Sequence, residues 1–464
     1  MVSGGGSAAR SVALAELDRL LGLRCLQDVA SRAAYGQDNS RRHALPLAVL
    51  QPVCADEVCR IVQIAAAAGL PLTARGRGTG TTGAAVPLGE GLLLSFERMD
   101  RLIAVQAADR YAVVEPGLLN GALQQALVPR ALFWAPDPTS APYSTIGGNL
   151  ACNAGGPRTV KYGASRDNVL GLEFVDGRGE RIRTGTRTTK GATGYDLTRL
   201  LVGSEGTLGL IVEATLKLLP LPAARAGFLA VYADIDAATA AVVALMAQPE
   251  LPAALEFMDD AALALLRARG VELPEGNALL LVDVEGSVAT LAASLAALSQ
   301  AARVPGLLAL RAAEDVAALE QLWAARKALS PALRSLAPGK INEDVVVPVS
   351  QIPALCRAIA GWRSSLGLPI VVFGHAGNGN LHVNFLYEPA DADQYRAAHR
   401  GLAQLFETVL ALGGTLSGEH GIGLDKRDWL PQAVGLPALT LMRQLKSVFD
   451  PAGILNPGKV FTTA

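Results

Sequence analysis

The chain has 464 residues, about three times the usual domain length of roughly 150, so two or three domains with sizeable cores are expected. With 41 basic against 42 acidic side chains it carries no electrostatic footprint for nucleic acid or an anionic membrane. No run reaches the ~18 apolar residues of a membrane span, MVSGGGSAAR lacks a charged-then-apolar signal pattern, and Cys25, Cys54, Cys59, Cys152 and Cys356 form no CxxC, which together suit a cytoplasmic protein with reduced thiols.

Residues 1–45 read as a lead-in: SVALAELDRLLG has apolar residues at helical spacing, and a polar, Arg-rich connector follows. Asp56 is expected to cap a helix through Val58, Ile61, Val62 and Ala65 that ends at Gly69. A strand from Leu70 to Ala74 then runs into Arg75-Gly-Arg-Gly-Thr-Gly-Thr-Thr-Gly83, whose glycines free backbone N–H groups to curl around phosphate oxygens. The run contains a literal GxGxxG, yet Pro87, Gly89 and Gly91 stand where a Rossmann helix would propagate, so a second strand, Leu92 to Ser95, is expected instead. Further strands are expected at Tyr111 to Val114, Val169 to Val175 and Leu208 to Leu219. Between them the uncharged stretch Pro142 to Gly156, dense in small residues and amides, suits close backbone approach to a large polar ligand.

After the Leu219-Pro-Leu-Pro222 break, strands at Gly227 to Tyr232, Ala254 to Met258 and Ala278 to Val284 alternate with Ala-rich helices such as Val288 to Ala302, suggesting a sheet covered on one face. Arg326 lies on a helix, where pattern alone makes it a solvated charge. Farther on, Asn378-Gly379 between two apolar runs is a two-residue hairpin signal. Folding there pairs Gly377 with Asn380 and places His375 opposite His382, close enough for two imidazoles to share a small ion, with Asn384 on the same face. Glu419-His420 downstream can add a carboxylate ligand and a base. His375, His382 and Glu419 then form a triad for zinc or manganese, which imidazole and carboxylate ligands do not separate.

Five motifs in order, RGRGTGTTG, STIGGNLACNAGG, GSEGTLGLIVEATLKL, GHAGNGNLHVN and SGEHGIG, resemble the flavoprotein dehydrogenases of D-2-hydroxy acids within the vanillyl-alcohol-oxidase superfamily, from about Leu50 onward. The resemblance implies an α+β protein: a lead-in at 1–45, an FAD-binding domain of the p-cresol methylhydroxylase type at 46–222, a cap with an antiparallel sheet carrying substrate and metal at 223–425, and a segment at 426–464 returning to the flavin. It implies FAD held by Arg75, Gly76, Arg77, Gly78, Thr79 and Gly80, by Pro138, Thr139, Gly147, Gly148, Asn149, Cys152, Asn153, Gly156 and Tyr162, and by Glu205, Gly209, Ile211 and Asn456. Thr79 stands where covalent relatives often carry a histidine, so the flavin is expected to be noncovalent.

The resemblance further implies Arg326 as the fork that binds the substrate carboxylate, His420 as the base, and Asn384 as an orienting group. In the 2-hydroxyglutarate enzymes a lysine binds the distal carboxylate; here that position is Asn342, with Lys340 two residues early on the same strand face. A small acid such as D-lactate is therefore preferred to a diacid. Electrons would pass to a quinone, a cytochrome or an electron-transfer flavoprotein rather than to NAD, and a homodimer fits the reading. An oxygen-using oxidase and a flavin or metal module without turnover are the competing classes.

Overall fold

The computed structural model describes residues 5–313 and 315–462. Contacts divide the chain into two units: Met1–Gly155 with Gly163–Leu221 and Glu419–Ala464, and Gly156–Tyr162 with Pro222–Gly418. The second unit thus closes at Gly418 rather than at 425 and takes in a short excursion from the middle of the first. That excursion is held by Glu285, whose buried carboxylate pairs with Arg158 and accepts from the Tyr162 hydroxyl, while Lys161 Nζ donates to the Glu285 carbonyl at 3.1 Å.

In the first unit, the Ala55–Ala68 helix buries Val58, Ile61, Val62, Ile64 and Ala65 and stops where Gly69 turns left-handed at φ 62°. Its N-cap is Cys54, not Asp56; Asp56 stands exposed in the first turn, and Glu57 instead accepts from Val53 N at 2.9 Å. The lead-in is no separate domain: Ala13, Leu17 and Leu21 of the Gly5–Leu21 helix join the same core. Burying each of the two leucines stabilises by about 1.5–3 kcal/mol. Beside this core lies a four-stranded sheet in the order Cys25–Leu26, Val49–Leu50, Leu92–Ser95, Leu72–Arg75, parallel between its last three strands. No helix intervenes between Leu72–Arg75 and Leu92–Ser95, as the proline and glycines after Gly83 require. A five-stranded antiparallel sheet follows, ordered Leu102–Gln106, Tyr111–Val114, Leu210–Lys217, Val169–Val175, Arg181–Gly185.

The second unit is built on a seven-stranded antiparallel sheet: Leu307–Ala312, Ala224–Tyr232, Ala278–Gly286, Ala254–Met258, Ile370–His375, Asn380–Tyr387, Gly339–Val346. Helices cover both faces, not one. Asp260–Ala268 and Val316–Ala332 contribute Leu263, Leu266, Leu319, Trp323 and Leu329 to a core with Met258, Leu281, Val371 and Phe373. The alternate strand positions, among them Phe257 and Val383, are also buried, and the helices Ile235–Met246, Ile352–Leu366 and Ala392–Ala411 bury apolar stripes in the same unit. Strands buried on both faces read as continuous apolar runs, ALLLV and IVVF here, so the periodicity gave no sign of the second layer.

Candidate functional site

In the first unit the two glycine stretches meet. A Cβ on Gly76 would fall 2.3 Å from Thr145 Oγ1, so the backbone of the first loop lies directly against the second stretch. That stretch is not irregular throughout: Thr145 caps a short helix, Ile146–Cys152, by accepting from Gly148 N, and Asn153 ends it at φ 52°. Asn149 is fixed by Asn120 and Ser144, and the Asn153 Oδ1 accepts from Arg166 N at 2.9 Å. Asn456, from the C-terminal segment, donates to Ala84 O and Glu205 O at 3.0 and 2.8 Å.

Glu205 differs from a cofactor contact made by its side chain. Its two carboxylate oxygens accept from Ile422 N at 2.6 Å and Gly423 N at 2.8 Å, so it secures the turn after His420. Burial raises this carboxyl to about 7, against the pull of those N–H groups and of Lys459 and Lys426. Gly209 lies against the Phe174 ring, and the Ile211 side chain is in the core of the antiparallel sheet. Tyr162 belongs to the second unit, where Glu285 takes its hydroxyl.

The residues fit a bound flavin dinucleotide. Thr81 Oγ1, inside the first glycine loop, is buried with no protein partner, as befits a donor for a phosphate oxygen. A Cβ on Gly80 would meet open space. Burial pushes the thiol of Cys152, on the short helix Ile146–Cys152, up to about 12.

The histidine strands of the second unit are Ile370–His375 and Asn380–Tyr387. Their register differs from expectation: His382 opposes Phe373, not His375. Asn378 does not take positive φ. A 3-10 turn, Ala376–Asn378, precedes Gly379 at φ 74°, making the connection longer than a two-residue hairpin turn. Pairing with Asn380–Tyr387 ends at Phe373, and along its other edge His375 pairs with Glu256 on Ala254–Met258. A shift of two keeps both histidines on one face, and their rings still meet edge-on with centroids 5.2 Å apart.

Glu256 is fully buried and was not singled out from the sequence. One oxygen meets His375 Nδ1 at 2.5 Å; the other takes Arg326 Nε at 2.7 Å and Nη2 at 2.6 Å. Burial alone would raise this carboxyl, but the charges of His375 and Arg326 and the His375 hydrogen bond hold it down at about 2. Arg326 is thus buried, 8% exposed, with its guanidinium 4.6 Å over the Phe373 ring. The sequence offered one signal for Glu256, a carboxylate inside the apolar strand ALEFM.

Asp344 opposes His382 from the neighbouring strand and accepts from Gly418 N at 2.9 Å and from Ser417 Oγ at 3.3 Å. Glu419 is the next residue in the chain. His375, His382 and Glu419 each offer a ligand atom within 4.8 Å of the others, and the two histidines are buried. A carboxylate acceptor on His375 Nδ1 leaves Nε2 as the ligating nitrogen, so this donor set fits a divalent ion with imidazole and carboxylate ligands. His420 Nε2 lies 3.9 Å from Glu419 Oε1. On the same sheet face, Asn384 donates to Val371 O and His382 O while its Oδ1 is buried without a partner. Asn342 opposes Asn384, and Lys340 opposes Leu386 one pleat farther along that face.

Residues 46–185 match the FAD binding domain family, and residues 221–460 match the C-terminal domain of FAD linked oxidases. The chain belongs to the FAD-linked oxidases. Among relatives of this flavoprotein, the glycolate oxidase subunit GlcD of Bacillus subtilis is 37% identical over 93% of each chain. D-2-hydroxyglutarate dehydrogenase of Stutzerimonas stutzeri is 34% identical over 94% of this oxidoreductase and 96% of its own length. The solved structure of p-cresol methylhydroxylase superposes with a TM-score of 0.82 at 17% identity, covering 98% of this chain and 97% of that one. The fold of the FAD-linked oxidase is accordingly the p-cresol methylhydroxylase type of α+β flavoprotein. No described helix is long and apolar enough to cross a membrane.

Proposed function

We propose that this FAD-linked oxidoreductase converts a D-2-hydroxy acid to its 2-oxo acid with the help of a zinc or manganese ion on His375, His382 and Glu419. The observation that carries the reading is the convergence of those three ligand atoms within 4.8 Å, with Arg326 tied to His375 through Glu256. Relatives named for glycolate and 2-hydroxyglutarate support the substrate class.

FAD, when bound, supplies a hydride acceptor at N5, and the metal, when bound, a Lewis acid for the α-hydroxyl. The chain's own residues do the rest. Arg326 has its Nε–Nη2 edge on Glu256 and offers the remaining Nη1 edge to the substrate carboxylate. His420 takes the hydroxyl proton as the C–H bond breaks. Asn384 presents a buried acceptor oxygen toward the acid. Asn342 supplies no charge for a distal carboxylate, and Lys340 sits one pleat away, so a small acid such as D-lactate is favoured over a diacid. Electrons then leave for a quinone, a cytochrome or an electron-transfer flavoprotein.

The test is anaerobic flavin absorbance of the metal-loaded protein against a panel of D- and L-2-hydroxy acids. Bleaching by D-acids is expected, and bleaching by none would refute the reaction. His420→Ala should retain FAD and metal yet lose about 100-fold or more in the reduction rate. An unchanged rate would remove His420 from its role. Stoichiometric peroxide with oxygen as sole acceptor would mark an oxidase instead.

A further inference from the structure

We infer that Glu256 is a positioning residue whose single carboxylate fixes both the ligating nitrogen of His375 and the presented edge of Arg326. The inference rests on the metal-assisted reading above and deepens it. Metal ligation and substrate-carboxylate binding are, on this account, set by one side chain rather than by two independent supports.

The two carboxylate oxygens of Glu256 divide the labour. Oε1 faces His375 Nδ1, and Oε2 takes both Nε and Nη2 of Arg326. An ionised carboxylate only accepts, so Nδ1 carries the proton, and in the neutral imidazole that an ion requires the lone pair is then on Nε2. The same carboxylate occupies one edge of the guanidinium, while the Phe373 ring lies 4.6 Å beneath its plane. Only the edge bearing Nη1 then remains for a ligand. Nothing else on the strand could do both tasks: the neighbours Leu255 and Phe257 point to the opposite face and Ala254 and Met258 are apolar. The sheet register places Glu256 directly opposite His375, so the bond requires no reach across empty space.

A buried ion pair that merely joins helix to sheet would look similar but behave differently. In Glu256→Gln the amide oxygen must still meet the two Arg326 N–H groups, which turns the NH2 toward His375. That NH2 donates to Nδ1 and drives the proton to Nε2, the nitrogen the ion needs. A near-isosteric change thereby switches the tautomer, whereas a structural role needs only volume and a hydrogen bond.

The experiment is Mn2+ titration of the chelator-stripped flavoprotein, read from the electron paramagnetic resonance of free Mn2+, for wild type, Glu256→Gln and Glu256→Asp. Gln is expected to weaken Mn2+ about 10–100-fold with flavin retained. Asp, which keeps the charge, should recover part of that loss. Wild-type affinity in a folded Glu256→Gln variant would overturn the inference while leaving the metal reading in place. A wild type that binds no Mn2+ competed by zinc and lost in His382→Ala would overturn both. Should Glu256→Gln fail to fold, the 15N shifts of His375 in the metal-free wild type, read at a pH where the ring is neutral, decide the matter: a proton on Nδ1 alone supports the assignment, and a proton on Nε2 alone overturns it.

Discussion

Replacing Arg326 by Met tests whether the Glu256 carboxylate depends on its cation. Glu256 is 0% exposed and its Oε2 receives Arg326 at 2.7 and 2.6 Å, so Arg326→Met strands a buried charge that only His375 and the more distant His382 then face. Breaking a buried pair by removing one partner costs about 3–5 kcal/mol. The methionine stem restores some contact with Phe373 but offers no hydrogen-bond donor, so a net loss of about 3 kcal/mol is expected. Trp323, buried one helical turn before Arg326, is a fluorescence reporter for this part of the second unit. Urea unfolding of the metal-free flavoprotein, followed at Trp323 with Trp134, Trp362 and Trp429 replaced by Phe in every variant, should show the loss. Adding Glu256→Gln removes the stranded charge and should return about 2 kcal/mol as a coupling term in the double-mutant cycle. A single-variant loss below about 0.5 kcal/mol, or strict additivity in the double variant, would refute this reasoning.

Two further outcomes follow from the geometry. Gly379→Ala should destabilise the second unit by roughly 2–4 kcal/mol, because φ is 74°, a Cβ would fall 1.8 Å from Val347 O, and the bond from Val347 N to Gly379 O at 3.1 Å is lost with any shift. A urea midpoint equal to wild type would contradict it. The second concerns pH. Glu205 has its carboxyl raised from 4.5 to about 7 by burial, so its contribution to stability is fully present below about 4.5 and is lost as pH rises through about 7. The loss is on the order of 3 kcal/mol between those limits. Unfolding curves at fixed flavin saturation should therefore lose stability from pH 5 to pH 8 more steeply in wild type than in Glu205→Gln. Parallel pH profiles would show that Glu205 is not the group responsible.

Much of the local structure was legible because it depends on neighbouring residues. Tyr111–Val114, Val169–Val175 and Ala254–Met258 fall where alternation and turn residues placed them, and the break near Pro222 marks the start of the second unit. The absence of a Rossmann helix followed from the residues after Gly83. What escaped depends on distant chain. The partner of His375 is Glu256, 119 positions earlier, and only the order of the seven-stranded sheet brings them together. Helical spacing made Arg326 a solvent-facing charge; a carboxylate on another element buries it. The Asn-Gly pair did mark the reversal, but Asn378 kept negative φ because the chain turned through a 3-10 step, and the register moved by two. The side-chain face survived because a strand repeats every two residues.

The central claim joins flavin reduction to a metal on His375, His382 and Glu419, and one measurement addresses it directly. Purified flavoprotein is stripped with a chelator, mixed anaerobically with D-lactate or another D-acid that bleaches the untreated protein, and followed at the flavin absorbance before and after Zn2+ or Mn2+ is restored. The account predicts that bleaching falls by at least about 100-fold on stripping and returns with the metal, and that His382→Ala neither binds the ion nor recovers. Full-rate bleaching in protein shown to be metal-free would contradict it.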